Sequence, residues 1–354
     1  MKKVKLVVSD FHMGNGKYRE DGTVNPLEDF GYDDEFIEFL QFHDESEEQQ
    51  ELELILNGDI FNMIQLVPEE QDLGILTERA AVAKIEAIIA GHKPLFDELK
   101  RFNSKQHRRL VFILGNHDPQ LLWKGVRDII KRTVQGEVVF VESAYKFDGV
   151  HIEHGHELEP IFKMKKERYF LTKGFPEPIL NLPWGVFFVK DYLYNIKKRR
   201  PFVDKVSPYR LFLRWCFLND FWFGFLSIFS YIWFIFKTRF SPLPLKREGA
   251  FKGFGAVFFL ENSPTLSKEV AQIIEKEKCK TVILGHTHIP LHVNLGSGEY
   301  LNTGSWNDIT HLDIANLGQG KRLIYARIDY LQGKPQARLQ EWFGLHRPFR
   351  SIRG

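Results

Sequence analysis

Five short polar segments, each placed where an apolar run stops, constrain the fold of this chain more than any other feature. Four of the runs are short and rich in Val, Ile and Leu, as strands are. The segments are Asp10-Phe11-His12, Gly58-Asp59, Gly115-Asn116-His117-Asp118, His154-Gly155-His156 and Gly285-His286-Thr287-His288. Because open α/β sheets place their sites at the carboxyl ends of strands, we predict an α/β fold with these side chains gathered at one edge.

The side chains in these segments are ligands for divalent cations. Residues i and i+2 of a strand point the same way, so Asp10 and His12 are expected to reach one ion together, as are His286 and His288. Carboxylate, imidazole and amide ligands suit paired ions that promote attack of water on phosphorus. A single Gly-Asp is usually a turn, but five such segments in order predict a dinuclear metal site.

In order and residue type, the segments resemble the motifs of the calcineurin-like metallophosphoesterase family, over about residues 1–160 and 265–345. The resemblance implies one ion held by Asp10, His12, Asp59 and His288, and a second held by Asp59, Asn116, His154 and His286, with Asp59 bridging. It implies that a bridging hydroxide attacks phosphorus while His117 stabilises the phosphoryl oxygens or protonates the leaving group. Asp118 would orient His117. His156 would either touch substrate or complete a loop.

The same resemblance implies a four-layer αββα sandwich with a helical, aromatic-rich insertion that serves as a lid and membrane contact. We predict the two parts of the core at 1–157 and 263–345, the insertion at 158–262 and a mobile tail at 346–354. Apolar runs at 300–303 and 323–328 are predicted to be closing strands of the second sheet.

Charge is distributed unevenly along the chain. The formal net charge is +2, but residues 163–247 hold 17 Lys and Arg against 5 Asp and Glu. The remainder holds 31 Lys and Arg against 41 Asp and Glu. A net charge of +12 within one segment predicts an anionic partner for the insertion.

Within that basic segment, residues 221–236 carry no charge, and nine of the sixteen are aromatic. Sixteen residues fall short of the ~20 that span a bilayer. A buried or dimer-forming helix is the second interpretation, although cores favour Leu, Ile and Val over Phe and Trp. An interfacial element with flanking Lys and Arg fits both composition and charge. We therefore predict contact with an anionic membrane surface through 197–240, and no nucleic-acid partner, because stacking aromatics are usually interleaved with basic residues.

Composition also indicates a compartment. Cys216 and Cys279 lie in no disulfide or zinc spacing, which suits a reducing environment. The first apolar stretch is interrupted by Lys5 and stopped by Asp10, too short for a secretory signal. We expect a cytoplasmic protein, peripheral on the inner face of the cytoplasmic membrane.

A phosphoesterase with such an insertion is expected to cleave a lipid-linked phosphate. Residues 10–14, 58–61 and 302–306 make the chain similar to the bacterial UDP-2,3-diacylglucosamine pyrophosphatases of lipid A synthesis. The resemblance implies hydrolysis of UDP-2,3-diacylglucosamine to UMP and 2,3-diacylglucosamine 1-phosphate, with two Mn²⁺ ions, or alternatively Fe²⁺ or Zn²⁺. The acyl chains would contact Trp215, Phe221, Trp222 and Phe225. Uridine or diphosphate would contact Asn15, Lys17 and Arg19, unless these three only form a solvated loop.

Two other functional classes stay open from sequence. One is a phosphatase or phosphodiesterase of a soluble nucleotide or phosphoprotein, whose insertion mediates protein contacts. The other is a non-catalytic scaffold with the same fold. Every implied metal ligand and His117 is present, which argues for the enzyme.

Overall fold

The computed structural model divides the chain into two compact units. It describes residues 2–19, 21–64, 77–164, 166–200, 203, 206–207, 209–259, 266–307, 309–311, 318–320 and 322–352. The first unit comprises Met1–His156, Thr265–Asn307 and Arg322–Gly354. The second comprises Glu157–Pro264 and Asp308–Lys321.

The described strands and helices follow one another in a mixed order. The strands are β1 (Lys3–Val8), β2 (Glu51–Asn57), β3 (Arg108–Ile113), β4 (Glu137–Val141), β5 (Ala144–Phe147), β6 (Val150–Glu153), β7 (Phe170–Leu171), β8 (Ile179–Leu180), β9 (Val206–Ser207), β10 (Thr281–Leu284), β11 (Leu291–Asn294), β12 (Glu299–Asn302), β13 (Ile309–His311), β14 (Gly318–Gly320), β15 (Leu323–Leu331), β16 (Lys334–Trp342) and β17 (Phe349–Ile352). The α-helices are α1 (Asp33–Ser46), α2 (Glu78–Gly91), α3 (Lys93–Asn103), α4 (Lys124–Val134), α5 (Trp184–Phe187), α6 (Tyr194–Lys197), α7 (Tyr209–Asn219), α8 (Phe221–Arg239), α9 (Pro244–Phe259) and α10 (Ser267–Glu277).

Two mixed sheets build the first unit. The seven-stranded sheet has the order β17-β16-β15-β1-β2-β3-β4, with β1 to β4 parallel and β15 antiparallel to β1. The five-stranded sheet has the order β11-β12-β10-β6-β5, with β6, β10 and β12 parallel. In both sheets, parallel strands therefore deliver their carboxyl ends to a common edge.

The sheets pack face to face through a fully buried apolar cluster. Val7, Ile55 and Val111 come from the seven-stranded sheet, and Ile152 and Ile283 from the five-stranded one. Strand alternation turns the next residues to the outer faces, where α3 contacts β3 and α10 contacts β10. The predicted α/β sandwich with a helical, aromatic-rich insertion is confirmed.

Three expectations differ from the structure. The run at 323–328 belongs to β15, which pairs with β1 in the seven-stranded sheet rather than in the second sheet, and β16 and β17 extend the same sheet beyond it. The predicted tail at 346–354 contains β17, which pairs with β16. Finally, β13 and β14, assigned from sequence to the core, join β9 of the insertion in a three-stranded sheet.

The second unit is mainly helical. A π-helical turn, Phe188–Leu193, lies between α5 and α6, and α8 packs against both α7 and α9. Helix α8 continues past the uncharged run to Arg239, so it has 19 residues rather than sixteen. By length and composition alone, it is long and apolar enough to cross a membrane, with 22% of its apolar window buried.

Candidate metal centre

The predicted ligands lie in the turns that directly follow the strands of the first unit. Backbone φ angles are positive at five of the seven predicted ligands, namely both members of each i, i+2 pair and Asp59: Asp10 (57°), His12 (54°), Asp59 (52°), His286 (67°) and His288 (58°). Non-glycine residues adopt this left-handed region at a cost of about 1–3 kcal/mol, and several of them together are typical of an active site. Both side chains of each i, i+2 pair thus reach the same cluster because the backbone turns left-handed directly after the strand. The strand itself does not continue through these residues, contrary to the prediction from the sequence pattern.

Asp10, His12 and His288 form the first group of possible ligands. Asp10 Oδ1 lies 3.2 Å from His288 Nε2 and 3.9 Å from His12 Nε2. The two imidazole Nε2 atoms are 3.1 Å apart. Asp10 is fully buried while the His288 side chain is 32% exposed, so this group opens to solvent on one side.

Asp59, His154 and His286 form the second group. His154 Nε2 lies 3.2 Å from Asp59 Oδ2 and 3.3 Å from Asn116 Oδ1. His154 Nδ1 donates to the Asn57 carbonyl oxygen at 2.9 Å. That hydrogen bond fixes the tautomer that presents the Nε2 lone pair to the site, as in metal-binding histidines.

Asp59 connects the two groups. Its Oδ2 lies 3.2 Å from His154 Nε2 and 3.8 Å from His12 Nε2, while its Oδ1 accepts the His117 amide at 2.7 Å. One carboxylate oxygen therefore faces ligands of both groups, which is the position of a bridging ligand. The His and Asp clusters are consistent with a dinuclear divalent metal site.

The electrostatics of the cluster favour bound cations. Burial alone would lower the pKa of His154, but the carboxylates of Asp59 and Asp10 raise it to about 10. Burial likewise opposes the charged form of Asp59, yet His154, His117 and His12 hold its pKa well below its usual range. The buried carboxylates thus attract positive charge strongly, and divalent ions meet that demand.

His117 lies beside this cluster, in a group with His12 and Asp59. Its ring centroid is 4.3 Å from that of His12, and its Nδ1 is 3.0 Å from Asn62 Oδ1. Asn62 Nδ2 donates to Asp29 Oδ2 at 3.2 Å, which points the amide oxygen at the ring. His117 Nδ1 therefore donates, and Nε2 is the acceptor nitrogen of the neutral ring.

Asp118 does not take the role predicted for it. Its carboxylate accepts the backbone amides of Ile60, Phe61 and Gly115, at 2.9, 3.3 and 2.7 Å. It therefore ties the turn after β2 to the turn after β3, and Asn62 orients His117 instead. Burial and then the charge of Asp59 raise the pKa of Asp118 to about 7.

The relay from Asp29 through Asn62 to His117 leads to a prediction. Asn62→Ala should lower kcat about 10- to 100-fold, as expected when a supporting hydrogen bond is lost, and leave the metal content unchanged. Asn62→Asp should recover most of the rate, because a carboxylate also accepts from Nδ1, and should shift the pH–rate profile by raising the pKa of His117. Full activity in Asn62→Ala, or loss of metal, would contradict this role.

His156 lies behind the second group. It is 4% exposed, and its ring centroid is 5.4 Å from that of His154 and 6.4 Å from that of His286. Burial, followed by the neighbouring His154 and His286, holds its pKa well below the usual range. Its Nδ1 has no hydrogen-bond partner among the described residues.

A segment near the end of β12 supports the centre, although sequence alone did not assign it a role. Ser305 Oγ and Asn307 Nδ2 donate to the Asp10 carbonyl oxygen at 3.0 and 3.3 Å. Asn302 Nδ2 donates to the Gly285 carbonyl oxygen at 2.7 Å. These bonds hold the left-handed turns at Asp10 and His286. The signals in the sequence were the resemblance carried by residues 302–306 and the short polar residues directly after an apolar run.

The loop after His12 contains the three residues predicted to meet the nucleotide. Asn15, Lys17 and Arg19 are exposed, and Asn15 Oδ1 accepts from Asn25 Nδ2 at 2.8 Å. Glu28 anchors this loop, since its carboxylate accepts the amides of Gly14 and Gly16 at 2.8 and 2.7 Å.

Behind that anchor lies His92, buried between Glu28 and Asp33. Its Nδ1 is 2.8 Å from Asp33 Oδ1, and its Nε2 is 3.6 Å from Glu28 Oε2, beyond hydrogen-bond distance. Burial alone would lower the pKa of His92, but Asp33 and Glu28 raise it to about 9.

A folded-state pKa above the usual 6.5 makes stability depend on pH. The contribution of His92 is complete below about pH 6.5 and is lost as pH rises through about 9. We expect urea unfolding at pH 6.5 and 10 to show a loss of about 3 kcal/mol that is absent in His92→Gln. The exposed His346→Gln, as matched control, should keep the wild-type slope; an unchanged slope in His92→Gln would refute the assignment.

The four residues predicted to contact acyl chains lie in the second unit, on α7 and α8. Trp215, Phe221, Trp222 and Phe225 are 53%, 52%, 70% and 48% exposed. All four side chains are therefore accessible to a partner.

The fold and the site together define a metallophosphoesterase. A family model described as calcineurin-like phosphoesterase matches residues 5–290, and the chain belongs to that family. No curated protein has a significant match to the chain.

Several solved structures are similar at low identity. A predicted phosphoesterase of Streptococcus pneumoniae is 12% identical, with 99% of this chain and 98% of that one covered and a TM-score of 0.31. A single mutant of Vps29 from Entamoeba histolytica is 9% identical, with 96% and 99% covered and a TM-score of 0.29. The phosphopantetheinyl hydrolase of Mycobacterium tuberculosis is 11% identical, with 86% and 90% covered and a TM-score of 0.26. Scores this low carry no information about activity.

Proposed function

We propose that this metallophosphoesterase hydrolyses a lipid-linked nucleotide diphosphate at the cytoplasmic face of a membrane, with UDP-2,3-diacylglucosamine as the substrate that fits best. UMP and 2,3-diacylglucosamine 1-phosphate would be the products. The observation that carries the proposal is the presence, in one chain, of a His/Asp metal cluster and an exposed aromatic surface on a basic unit.

The donor set fits two divalent ions. Asp10, His12, Asp59 and His288 would hold one, and Asp59, Asn116, His154 and His286 the other, with Mn²⁺ as the proposed metal. When bound, such ions lower the pKa of water and neutralise charge on the phosphoryl group. His117, whose Nδ1–H is held by Asn62, would interact with phosphoryl oxygens or the leaving group through a proton on Nε2, that is, as the imidazolium.

A lipid-linked substrate explains the second unit better than a soluble one does. Large aromatic side chains that stay 48–70% exposed are unfavourable in water, whereas acyl chains and lipid head groups solvate them. The excess of Lys and Arg in 163–247 complements both a diphosphate and an anionic bilayer. The proposed location is therefore peripheral, on the inner face of the cytoplasmic membrane.

Product analysis tests this proposal. Purified protein with Mn²⁺ and detergent is given UDP-2,3-diacylglucosamine, and the products are identified by mass spectrometry, with Asp59→Ala as the inactive control. Release of UMP and the acylated sugar 1-phosphate, absent from the control, is the expected result. Turnover of a chromogenic phosphodiester but not of this lipid would keep the hydrolase and reject the substrate.

A further inference from the structure

Helix α8 exposes its apolar side chains and buries small and polar ones, which is the reverse of what is expected for a surface helix. Its buried residues are Gly224, Ser227, Phe234 and Thr238, of which three are small or polar. Its exposed side is apolar: Phe221, Trp222, Phe225, Leu226, Ile228, Phe229, Ile232, Trp233 and Phe236 are 39–70% exposed. A surface helix in water normally buries its apolar stripe and exposes its polar one. The outward side of α8 therefore suits surroundings less polar than water.

The inward side of α8 is fixed by hydrogen bonds within its own unit. Trp184 Nε1 donates to Thr238 Oγ1 at 2.9 Å, and Tyr192 Oη donates to the Ser227 carbonyl oxygen at 2.8 Å. Tyr231 Oη donates to the Gly253 carbonyl oxygen at 2.5 Å. Because these bonds lie along the length of the helix, α8 cannot rotate to hide its aromatic side without leaving buried polar groups unpaired.

Exposed cations flank this apolar side at both ends. Arg200 lies at the amino end, where it bonds Asp220 Oδ2 at 2.7 Å and lies over the Phe223 ring at 5.1 Å. Lys237 and Arg239 are exposed at the carboxyl end. Aromatic side chains with cations at both ends match an anionic lipid surface, with rings at head-group depth and cations near phosphates.

We propose that α8 lies in the plane of the membrane, with its outward side embedded in one leaflet of an anionic bilayer. This inference deepens the proposed function, since it specifies the surface and the orientation through which the insertion meets lipid. The surface is defined by the exposed residues of α8, from Phe221 to Phe236.

A spanning orientation is the main alternative. At ~1.5 Å per residue, α8 would reach about 28 Å, close to the ~30 Å of a bilayer's hydrocarbon. Its inward side, however, packs against α9 and near the π-helical turn. Lys246 Nζ of α9 bonds Asp191 Oδ2 of that turn at 2.9 Å, and Lys252 of α9 is exposed. These charges would have to enter the hydrocarbon together with α8, which is costly.

A second copy of the chain is the other candidate partner for the exposed surface of α8. Pairing two identical basic units would bring their like charges together, because residues 163–247 carry 17 Lys and Arg against 5 Asp and Glu. An anionic bilayer meets the same surface with opposite charge.

Vesicle flotation without substrate tests the surface. We expect the full-length protein to float with phosphatidylglycerol–phosphatidylethanolamine vesicles and at least tenfold less after Phe229→Ser, Trp233→Ser and Phe236→Ser are combined. Phe343→Ser, which removes a 49%-exposed aromatic from the first unit, is the matched control and should float like wild type. Retained hydrolysis of a chromogenic phosphodiester shows that the triple variant is folded.

Quenching by brominated lipids tests the orientation. Trp222 and Trp233 are 11 positions apart, so an in-plane helix puts both at the same shallow depth, and Trp222→Phe and Trp233→Phe should each remove a similar share of shallow quenching. A spanning helix would place Trp233 near the bilayer centre and Trp222 near its edge. Strong deep quenching of Trp233 alone would overturn the in-plane orientation.

The remaining outcomes separate this inference from the proposed substrate. No flotation with either anionic or neutral vesicles, or a dimer that the triple variant converts to monomer, would overturn the lipid-embedded surface. Flotation without hydrolysis of UDP-2,3-diacylglucosamine would support the surface and reject the substrate. Hydrolysis of the detergent-dispersed lipid without flotation would support the substrate and reject the lipid-embedded surface.

Discussion

Asp59→Asn should lower kcat about 10³-fold or more, beyond the ~10- to 100-fold typical of residues that only support a ligand. The reason is geometric, because Asp59 Oδ2 faces His154 Nε2 at 3.2 Å and His12 Nε2 at 3.8 Å. Loss of its charge weakens both groups at once. Mass spectrometric metal analysis should find fewer than two ions per chain, and steady-state kinetics on a chromogenic phosphodiester should report the loss.

A thermal measurement distinguishes lost metal binding from misfolding. Added Mn²⁺ should raise the melting temperature of the wild-type protein, because a ligand that binds only the folded state stabilises it. It should leave that of Asp59→Asn unchanged. Asp97→Asn removes an exposed carboxylate paired with Lys93 and is the matched control. A variant at position 59 with two bound ions and full activity would contradict a bridging role.

Gly115→Ala should have an effect almost as large, without changing any ligand. A Cβ at position 115 would lie 2.2 Å from Asp59 Oδ1 and 2.3 Å from Asp59 N. Asp59 is held in a left-handed turn and fully buried, so it cannot move away cheaply. We expect at least 100-fold lower kcat, loss of bound metal, and a decrease in the free energy of unfolding of about 1–3 kcal/mol, typical of overpacking.

Gly31→Ala provides the control for that experiment. A Cβ at Gly31 would meet no atom within 4 Å, so the same chemical change should leave both rate and stability nearly unchanged. Wild-type metal content and rate in Gly115→Ala would mean that the position of the Asp59 carboxylate tolerates displacement.

The sequence predicted the parts of this structure that local patterns encode. Apolar runs ending in Asp, Asn and His gave strands β1, β2, β3 and β10 and the ligands that follow them. Those ligands converge because parallel strands share a carboxyl edge. The local pattern at the end of each strand was therefore enough to predict that the ligands lie close together. The fold class followed from the same motifs through the resemblance to a family.

What escaped prediction depends on contacts between distant segments. Asp118 is next to His117 in the chain, but the turn sends its carboxylate to the amides of Ile60 and Gly115. The side chain that does meet the ring, Asn62, is brought there by the turn after β2, and Asp29 orients it from another loop. Likewise, the run at 323–328 carries no local mark that its partner is β1 at the opposite end of the chain.

The polarity of α8 was also beyond sequence reasoning. The run is apolar in almost every direction, so composition alone left a buried helix, a dimer contact and a lipid contact open. Only packing shows that the few small and polar residues, Gly224, Ser227 and Thr238, face the protein. The interpretation of α8 as a helix buried within its own unit is thereby wrong.

The pairing of β1 with β15 also limits when, during synthesis, the seven-stranded sheet can be completed. Val4 lies opposite Asp329, so the central strand of the seven-stranded sheet gains one of its two neighbours only after all the residues between them have left the ribosome. Helix α8 emerges well before that point. During translation, the aromatic helix therefore emerges before β15 and before the ligands His286 and His288, so a chaperone or a membrane that covers α8 at this stage would act on a nascent chain whose metal centre is still incomplete.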